Sequence, residues 1–357
     1  MSYSIDSILD QRRILITCGT GGVGKTTLSA ALALRATLLG KKTVVVTIDP
    51  AKRLANSLGL KTLSDEPTDL TQELKKAYDK LNPSFPRSEK GSLSAIMPDT
   101  RHTFESFFSG LSSSKTHAEK LMKNPIFQIF AKEFSGTNEY MALEKLYSID
   151  SLGKYDCIIL DTPPSRNTLA FLNAPLLLAQ FFDERIIRWL VLPTNKIVSV
   201  GMKKALGILE KLTGSGFMGH LFDFASSLFE VRMAFQANLR KITELLTSKD
   251  VGFLLVTTPN PETLPELLHF MDAIKEHQMH FDGIALNRTL SYLKTTSTEN
   301  FSPDTSHALK IVSALQERES ITVKKLNEKG FPFTLLPELA RDIHSVEDLL
   351  NVALAFN

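Results

Sequence analysis

The sequence predicts an α/β fold, a doubly wound and mainly parallel β-sheet with helical insertions. Six apolar runs of strand length recur along the 357 residues, and they are continuous rather than alternating, as in strands covered on both faces. Helical segments separate them, which is the order of elements in an open parallel sheet. The runs cover residues 13–18, 43–49, 157–162, 252–258, 283–287 and 332–337.

The interval between the second and third runs is far longer than one crossover connection needs. We therefore predict a single domain over residues 1–357 that carries insertions. Residues near 62–92 contain prolines, serines and charges and are predicted to form an exposed excursion. Segments near 100–150 and 168–248 have helical patterns, the second rich in phenylalanine, and are predicted to form a helical subdomain.

Composition excludes several functional classes. The 41 basic and 39 acidic residues leave a net charge of +2, which does not indicate a nucleic-acid-binding protein. Residues 1–13 carry acids where a secretion signal would be basic and then apolar. No apolar run reaches the roughly 18 residues that a transmembrane segment requires. These observations predict a cytoplasmic protein.

The cysteines also argue for a reducing compartment. Cys18 and Cys157 are the two cysteines of the chain, and both fall in predicted strands. This number and spacing do not fit a zinc site or a disulfide framework.

A glycine-rich loop follows the first predicted strand. Gly19, four residues and then Gly24, Lys25 and Thr26 match the phosphate-loop pattern G-x-x-x-x-G-K-[ST]. An apolar strand precedes the loop and a helix-forming run follows it, so backbone N–H groups and a helix N-terminus would converge on an anion. The sequence therefore predicts a P-loop NTPase fold, the alternative being a glycine-rich turn that binds nothing.

The phosphate loop predicts the role of each of its polar groups. Lys25 would contact the β- and γ-phosphates of ATP, and the Thr26 hydroxyl would be a ligand of Mg²⁺. Glycines allow the backbone to approach the phosphates closely. The predicted nucleotide-binding residues of the loop are Gly19, Thr20, Gly21, Gly22, Val23, Gly24, Lys25, Thr26 and Thr27.

Two aspartates end predicted strands. Asp161 would face the water shell of the metal at the carboxyl edge of the sheet, and the alternative is a helix-capping role. Asp49 could orient the water that attacks the γ-phosphate, and the alternative is a turn aspartate before Pro50.

Taken together, these segments resemble the arsenite-pump ATPase family, which includes the cytosolic targeting factor for tail-anchored membrane proteins, and especially its less characterised bacterial branch. The resemblance covers most of the chain. The segments that carry it are GGVGKTT, TIDPAKRLANSLG, FSGTNEYMALEKL, DTPPSRNTLAFL, NR at 287–288 and LLPE at 335–338.

The resemblance implies a Mg²⁺-dependent, dimeric ATPase of the deviant phosphate-loop class. Asp49 corresponds to the water-positioning acid of the first switch segment, and Asp161 to the acid near magnesium, followed by the second switch segment. Asn287 and the region of Pro337 correspond to the elements that read adenine. Residues 21–27 fall on the phosphate cradle. Because the chain has one phosphate loop, two ATP sites require a homodimer.

Thr20 departs from the family pattern. The usual loop is K-G-G-x-G-K-T, whose first lysine reaches the phosphates of the partner subunit, and Thr20 stands at that position. A hydroxyl offers a hydrogen bond without a charge, and loss of such a cation can cost ~10³-fold or more in rate. Arg53 or Arg166 could replace it, the alternative being that each is a solvated surface residue.

The resemblance leaves the biological output open. The zinc-binding C-x-x-C pair of the eukaryotic targeting factor is not in this sequence, so no zinc is expected. Cysteines on separate strands also make a metalloid pump subunit the least favoured output. The remaining possibilities are a factor that handles hydrophobic client helices and a partition-type regulatory switch that binds a folded partner.

Residues 216–235 bear on that choice, because two apolar rows follow helical spacing there. They could form a groove for an apolar client helix, or pack as ordinary core against helices of 100–150. The first row contains Phe217, Leu221, Phe224, Leu228, Val231 and Phe235, and the second Met218, Phe222, Ala225 and Phe229.

Overall fold

The computed structural model describes residues 4–48, 53–112, 114–133, 137–162, 169–182, 216–293, 303–339 and 343–356. The chain divides into two compact units. The first comprises Met1–Pro98, Ser148–Leu172 and Leu245–Asn357, and the second comprises Asp99–Tyr147 and Asn173–Glu244.

The first unit contains a mainly parallel sheet of order β3-β4-β2-β5-β1-β6-β7-β8, in which β3 and β4 form the antiparallel pair. The predicted α/β class is confirmed, and each of the six apolar runs overlaps a strand. The strands are β1 Ile14–Cys18, β2 Lys42–Thr47, β3 Thr68–Asp69, β4 Ser92–Ile96, β5 Cys157–Asp161, β6 Val251–Thr257, β7 Phe281–Thr289 and β8 Phe333–Pro337.

Helices precede, separate and follow these strands along the chain. They are α1 Ile5–Gln11, α2 Lys25–Leu38, α3 Arg53–Ser57, α4 Thr71–Leu81, α5 Thr100–Leu111, α6 Lys115–Lys123, α7 Pro125–Glu133, α8 Thr137–Ser151, α9 Leu169–Phe181, α10 Phe217–Leu246, α11 Leu264–Glu276, α12 Pro303–Glu328 and α13 Val346–Leu354. Across the part of the chain that the structure describes, none of them has the length and hydropathy that a bilayer crossing requires.

The central strands explain the continuous apolar runs. Every residue of β1, β5 and β6 is buried, so none of these strands has a solvent face that would select alternating polar residues. Thr17 of β1 lies opposite Asp161 of β5, and Thr47 of β2 lies opposite the same aspartate. The carboxyl ends of three neighbouring strands therefore meet at one edge of the sheet.

The segment near 62–92, which was predicted to form an exposed excursion, contains regular secondary structure. It contains β3 and α4, and α4 buries Leu74 and Ala77 and packs against α13. The strand β4 follows directly, but Ser92 and Ser94 interrupt its apolar run, which is why the sequence did not predict it. Charged residues on the other face of α4 give the segment its polar composition, while Leu74 and Ala77 form the buried stripe of the helix.

The second unit has an aromatic core of its own. Its rings pack with centroid distances from 3.9 to 6.3 Å, and the shortest is the stacked pair Phe182–Phe235. The core rings, all buried, belong to Phe104, Phe107, Phe108, Phe127, Tyr140, Phe182, Phe224 and Phe235.

The first apolar row of α10 contributes directly to this core. Phe224, Leu228, Val231 and Phe235 are each at most 3% exposed. Phe235 contacts the rings of Phe107, Phe108 and Tyr140, which lie in the predicted helical segment 100–150. These four residues are core side chains and do not line an open groove, whereas Phe222 and Phe229 of the second row are half-buried.

Candidate functional site

The phosphate loop connects the end of β1 to the start of α2, as predicted. Two of its glycines are required by their surroundings. Gly24, the N-cap of α2, has φ 94°, and a β-carbon there would lie 2.2 Å from Asn287 Nδ2. Gly19 has φ 151°, and its β-carbon would lie 2.2 Å from the carbonyl oxygen of Val256. Glycine is therefore needed at both positions for the backbone to follow this path.

Lys25 lies inside the loop that it follows. Its side chain is buried, and Nζ donates to the carbonyl oxygens of Gly19 at 2.7 Å and Thr20 at 2.8 Å. These carbonyls hold the ammonium group at the N-terminus of α2, where backbone N–H groups favour an anion. The arrangement therefore places one fixed cation and a helix N-terminus at the same point.

A cavity of about 400 Å³ opens at this point. It joins the phosphate loop to β7, β8, α3 and α13, all in the first unit. Seven of the residues predicted to bind the nucleotide line this cavity: Gly22, Gly24, Lys25, Thr26, Thr27, Asn287 and Pro337. Gly19 and Thr20 line a separate, small cavity with Glu266 on α11, Gly21 is exposed, and Val23 is buried.

Asp161 is fully buried at the end of β5. Thr47 Oγ1 donates to its Oδ2 at 2.8 Å, which fixes one carboxylate oxygen. The next residue, Thr162, lines the 400 Å³ cavity and donates to the carbonyl oxygen of Thr17 at 2.8 Å. Asp161 is thus at the predicted sheet edge, while Thr162 forms the cavity wall there.

The donors at this edge fit magnesium. The Thr26 hydroxyl and the Asp161 carboxylate are hard oxygen ligands, the kind that Mg²⁺ prefers. Among the described residues, no group of three His, Cys, Asp or Glu side chains could hold a metal alone.

Asn287 and its neighbours on β7 form another wall of the cavity. Asn287 Nδ2 donates to the carbonyl oxygen of Val23 at 2.9 Å and thereby connects β7 to the phosphate loop. Arg288 has φ 64°, which is rare for a residue other than glycine, and its side chain also lines the cavity. The structure thus brings together the loop, Asn287 and Pro337, which are far apart in sequence.

Some predicted residues fall outside this description. Asp49 and Arg166 lie outside the described residues. Arg53, the other proposed replacement for the missing lysine, begins α3 and lines the cavity. His344 and Ile343, before α13, also line it and were not predicted. Their only sequence signal is the capping pattern of Ser345 and Asp348, which marks a helix start and says nothing of a ligand.

The two cysteines are poor ligands for a soft metal ion. Burial raises the pKa of both thiols to about 12, although Lys25 opposes the shift at Cys18. The β1–β5 register places them at opposite ends of neighbouring strands, roughly 16 Å apart at about 3.3 Å per residue. They can form neither a disulfide nor a shared metal site in this fold.

A parallel sheet whose first strand leads through a glycine loop to a buried lysine defines a P-loop nucleotide-binding protein. The family model described as anion-transporting ATPase matches residues 12–327, nearly the whole chain. The chain therefore belongs to this family of ATPases, and the resemblance predicted from the sequence is confirmed.

Relatives with curated names are similar to the chain at moderate identity. One from Prosthecochloris vibrioformis, named "Putative arsenical pump-driving ATPase", is 30% identical over 52% of this chain and 42% of its own length. A protein from Aquifex aeolicus, "Putative arsenical pump-driving ATPase 2", is 24% identical over 78% of this chain and 80% of its own. The "ATPase asna-1" of Caenorhabditis elegans is 29% identical over 52% of each chain. For the relatives from Prosthecochloris vibrioformis and Caenorhabditis elegans, the match spans about half of the relative's own length, 42% and 52%.

Proposed function

We propose that this protein hydrolyses the β–γ bond of ATP and uses the nucleotide state to control how two copies of the chain associate. The observation that carries the proposal is Lys25, buried at the N-terminus of a 14-residue helix and facing a 400 Å³ cavity that Asn287 and Pro337 also line. This cavity offers a cation, backbone donors and the side-chain amide of Asn287. That is the complement of a nucleoside triphosphate.

Each residue near the phosphates has a separate task in this proposal. Lys25 exchanges the carbonyls of Gly19 and Thr20 for oxygens of the β- and γ-phosphates, and it stabilises the charge that develops there. Thr26 and Asp161 hold Mg²⁺, directly or through water. When bound, magnesium neutralises charge on the phosphate oxygens and aligns the β–γ bond.

The switch residues complete the reaction. By the family pattern, Asp49 orients the attacking water. The segment from Asp161 to Thr168 reports the γ-phosphate to the helical unit. Thr162 supports this assignment, since it lines the cavity and is hydrogen-bonded to β1.

The test is ATP turnover by a Lys25→Ala variant. We expect phosphate release to fall to background, because the charge beside the phosphates is lost while α2 gains a good helix former. Lys61→Ala, which removes a charge from an exposed lysine, serves as the matched control and should keep full activity. Unchanged turnover in Lys25→Ala would overturn the assignment of the site.

The dimer is tested through Asp49→Asn, intended to bind ATP without splitting it. We expect the molar mass in solution to double with Mg-ATP and to stay monomeric without nucleotide and with ADP. A monomer in all three states would show that Thr20 marks a chain without the two-subunit switch. If the dimer forms, Arg53 is the first candidate for the missing cation, since it lines the cavity, and Arg53→Ala should then lower turnover.

For the biological output we propose the handling of hydrophobic client segments, with a regulatory switch for a folded partner as the second candidate. Phe222 and Phe229 are half-buried and remain partly available to a client, which supports the first candidate. The burial of Phe224, Leu228, Val231 and Phe235 withdraws these side chains from a client, which supports the second. Phe222→Ser with Phe229→Ser is the informative variant, since both rings are half-buried. ATP-dependent retention of an apolar peptide that this variant loses supports client handling, and no retention by the wild-type protein supports the regulator.

A metalloid pump subunit is the least favoured output. Cys18 and Cys157 are buried and protonated at neutral pH, so they offer no thiolate pair for arsenite. Stimulation of turnover by arsenite would contradict this ranking.

A further inference from the structure

The segment that leaves β7 is tied to α12 by side chains. Leu290 N donates to Glu319 Oε2 at 2.6 Å. Gln316 Nε2 donates to the carbonyl oxygens of Leu290 and Leu293, each at 2.8 Å. Gln316 and Glu319 are three residues apart and therefore lie on one face of the helix. Together they fix both the N–H and the C=O of Leu290.

The backbone immediately before Leu290 is strained. Arg288 has φ 64°, and the pairing of β7 with β8 shifts register between Leu286 and Thr289. Consecutive residues of a regular strand point to opposite faces, yet Asn287 and Arg288 both line the nucleotide cavity. The left-handed turn at Arg288 resolves this. Such a conformation persists only where the surrounding structure holds it in place.

The stability of the fold does not explain why a glutamate, Glu319, holds the segment that follows the turn at Arg288. Glu319 is 3% exposed, and within the described residues its Oε1 accepts no hydrogen bond. Burying a carboxylate oxygen without a donor is unfavourable, and an uncharged acceptor would hold Leu290 N at a lower desolvation cost. A residue that is costly to bury and anchors a strained turn is typical of functional positioning.

We propose that Glu319, together with Gln316, is a positioning residue for the wall of the cavity that Asn287 and Arg288 form. By fixing Leu290, Glu319 maintains the left-handed turn at Arg288. This turn presents Asn287 and Arg288 to the purine base. Thr289 supports the same geometry, because its Oγ1 donates to the carbonyl oxygen of Leu336 at 3.0 Å on the neighbouring strand. This inference rests on the proposed binding of ATP.

The test compares Glu319→Ala with Glu319→Gln. We expect Glu319→Ala to raise the Kd and KM for ATP about tenfold and to leave kcat within about twofold, because Lys25 and Thr26 are unchanged. Glu319→Gln should stay close to wild type, since its amide oxygen can still accept from Leu290 N. Glu317→Ala, at an exposed glutamate of the same helix, is the matched control and should not change either constant.

Inorganic triphosphate separates positioning from a general loss of structure. It occupies the phosphate loop but has no base, so its inhibition constant should be the same in Glu319→Ala and wild type. An equal loss of affinity for ATP and triphosphate would show that the whole site is damaged and would overturn the proposal.

Other outcomes are equally decisive. If Glu319→Ala fails to fold, Gln316→Ala replaces it, with a several-fold rise in the Kd for ATP expected and unchanged triphosphate binding. Wild-type affinity in a folded Glu319→Ala overturns this inference alone. If the wild-type chain binds triphosphate and not ATP, the proposed function falls with it.

Discussion

At the residue scale, the site depends on glycine positions where an added β-carbon would not fit. Gly24 is the clearest case, because Asn287 Nδ2 occupies the space that a β-carbon would need. The same amide donates to the carbonyl oxygen of Val23, so the phosphate loop and β7 are joined at this contact. A glycine that the motif requires for phosphate access is thus also required by a residue more than two hundred and fifty positions away.

Gly24→Ala should therefore affect binding more than folding. The methyl group would displace Asn287 from Val23, and φ 94° would cost about 1–2 kcal/mol in a residue with a β-carbon. We expect the Kd for ATP to rise at least tenfold in calorimetric titration. Gly153→Ala is the control, because Gly153 has φ 59° and its β-carbon would meet open space. ATP affinity lost equally in both variants would contradict this explanation.

The thiols give a second prediction at this scale. With pKa values raised to about 12 by burial, Cys18 and Cys157 are protonated at pH 8 and screened from solvent. Iodoacetamide should therefore add no label to the native protein and two labels in denaturant, counted by intact mass. Labelling of either cysteine under native conditions would show that its strand is not buried.

At the scale of elements, the start of α13 connects stability to the cavity. Ser345 Oγ accepts from Asp348 N at 3.1 Å and donates to Asp348 Oδ2 at 2.7 Å, which is a reciprocal cap. The residues before the cap, Ile343 and His344, line the 400 Å³ cavity. The helix itself packs against α2, whose N-terminus carries Lys25. A local capping pattern therefore fixes one wall of the site.

This cap should make stability depend on pH in one direction. Hydrogen bonds from Ser345 and His344 lower the pKa of Asp348 below its usual value of 3.8. The carboxylate therefore contributes stability above the unfolded-state pKa, and that contribution is lost as pH falls through the folded-state pKa. Asp348→Asn should be less stable than wild type at pH 7 in urea denaturation, and the difference should shrink as the pH falls below the usual carboxyl range.

Asp79→Asn, at an exposed aspartate of α4, is the control for this pH profile and should follow wild type throughout. A constant difference between Asp348→Asn and wild type from pH 7 to pH 2 would show that the charge has no part in the cap.

At the scale of the whole molecule, each unit has its own core and its own role in the proposal. The first unit buries apolar strands and presents a nucleotide cavity at their carboxyl ends. The second buries aromatic rings between helices, and the Phe182–Phe235 stack has the shortest centroid distance described there. Separate cores of this kind allow the stability of the second unit to be changed through residues that belong to that unit alone.

Phe235→Ala tests the second core. Phe235 is fully buried and contacts Phe107, Phe108, Tyr140 and Phe182. Its truncation should lower the free energy of unfolding by about 3–5 kcal/mol. Phe229→Ala, at a half-buried ring of the same helix, should cost clearly less in the same urea titration. Equal losses of unfolding free energy in the two variants would show that the burial of a ring does not determine its contribution to stability.

The sequence alone was enough to predict the elements that a short stretch of residues specifies. Continuous apolar runs identified the strands, since a strand buried on both faces needs no polar alternation, and the glycine pattern identified the phosphate loop with Lys25. β4 and α4 were not foreseen, because short serine-containing strands and charged amphipathic helices leave weak local signals.

Which distant side chains share a cavity or a core was settled by tertiary packing alone. Packing placed Phe224 and Phe235 in the interior, although their spacing fitted a groove equally well. It also tied Glu319 to the turn that carries Asn287. Helical periodicity tells that a face is apolar but not what covers it, and a contact between residues far apart in sequence leaves no trace in either segment alone. Such relations exist only after the chain has folded.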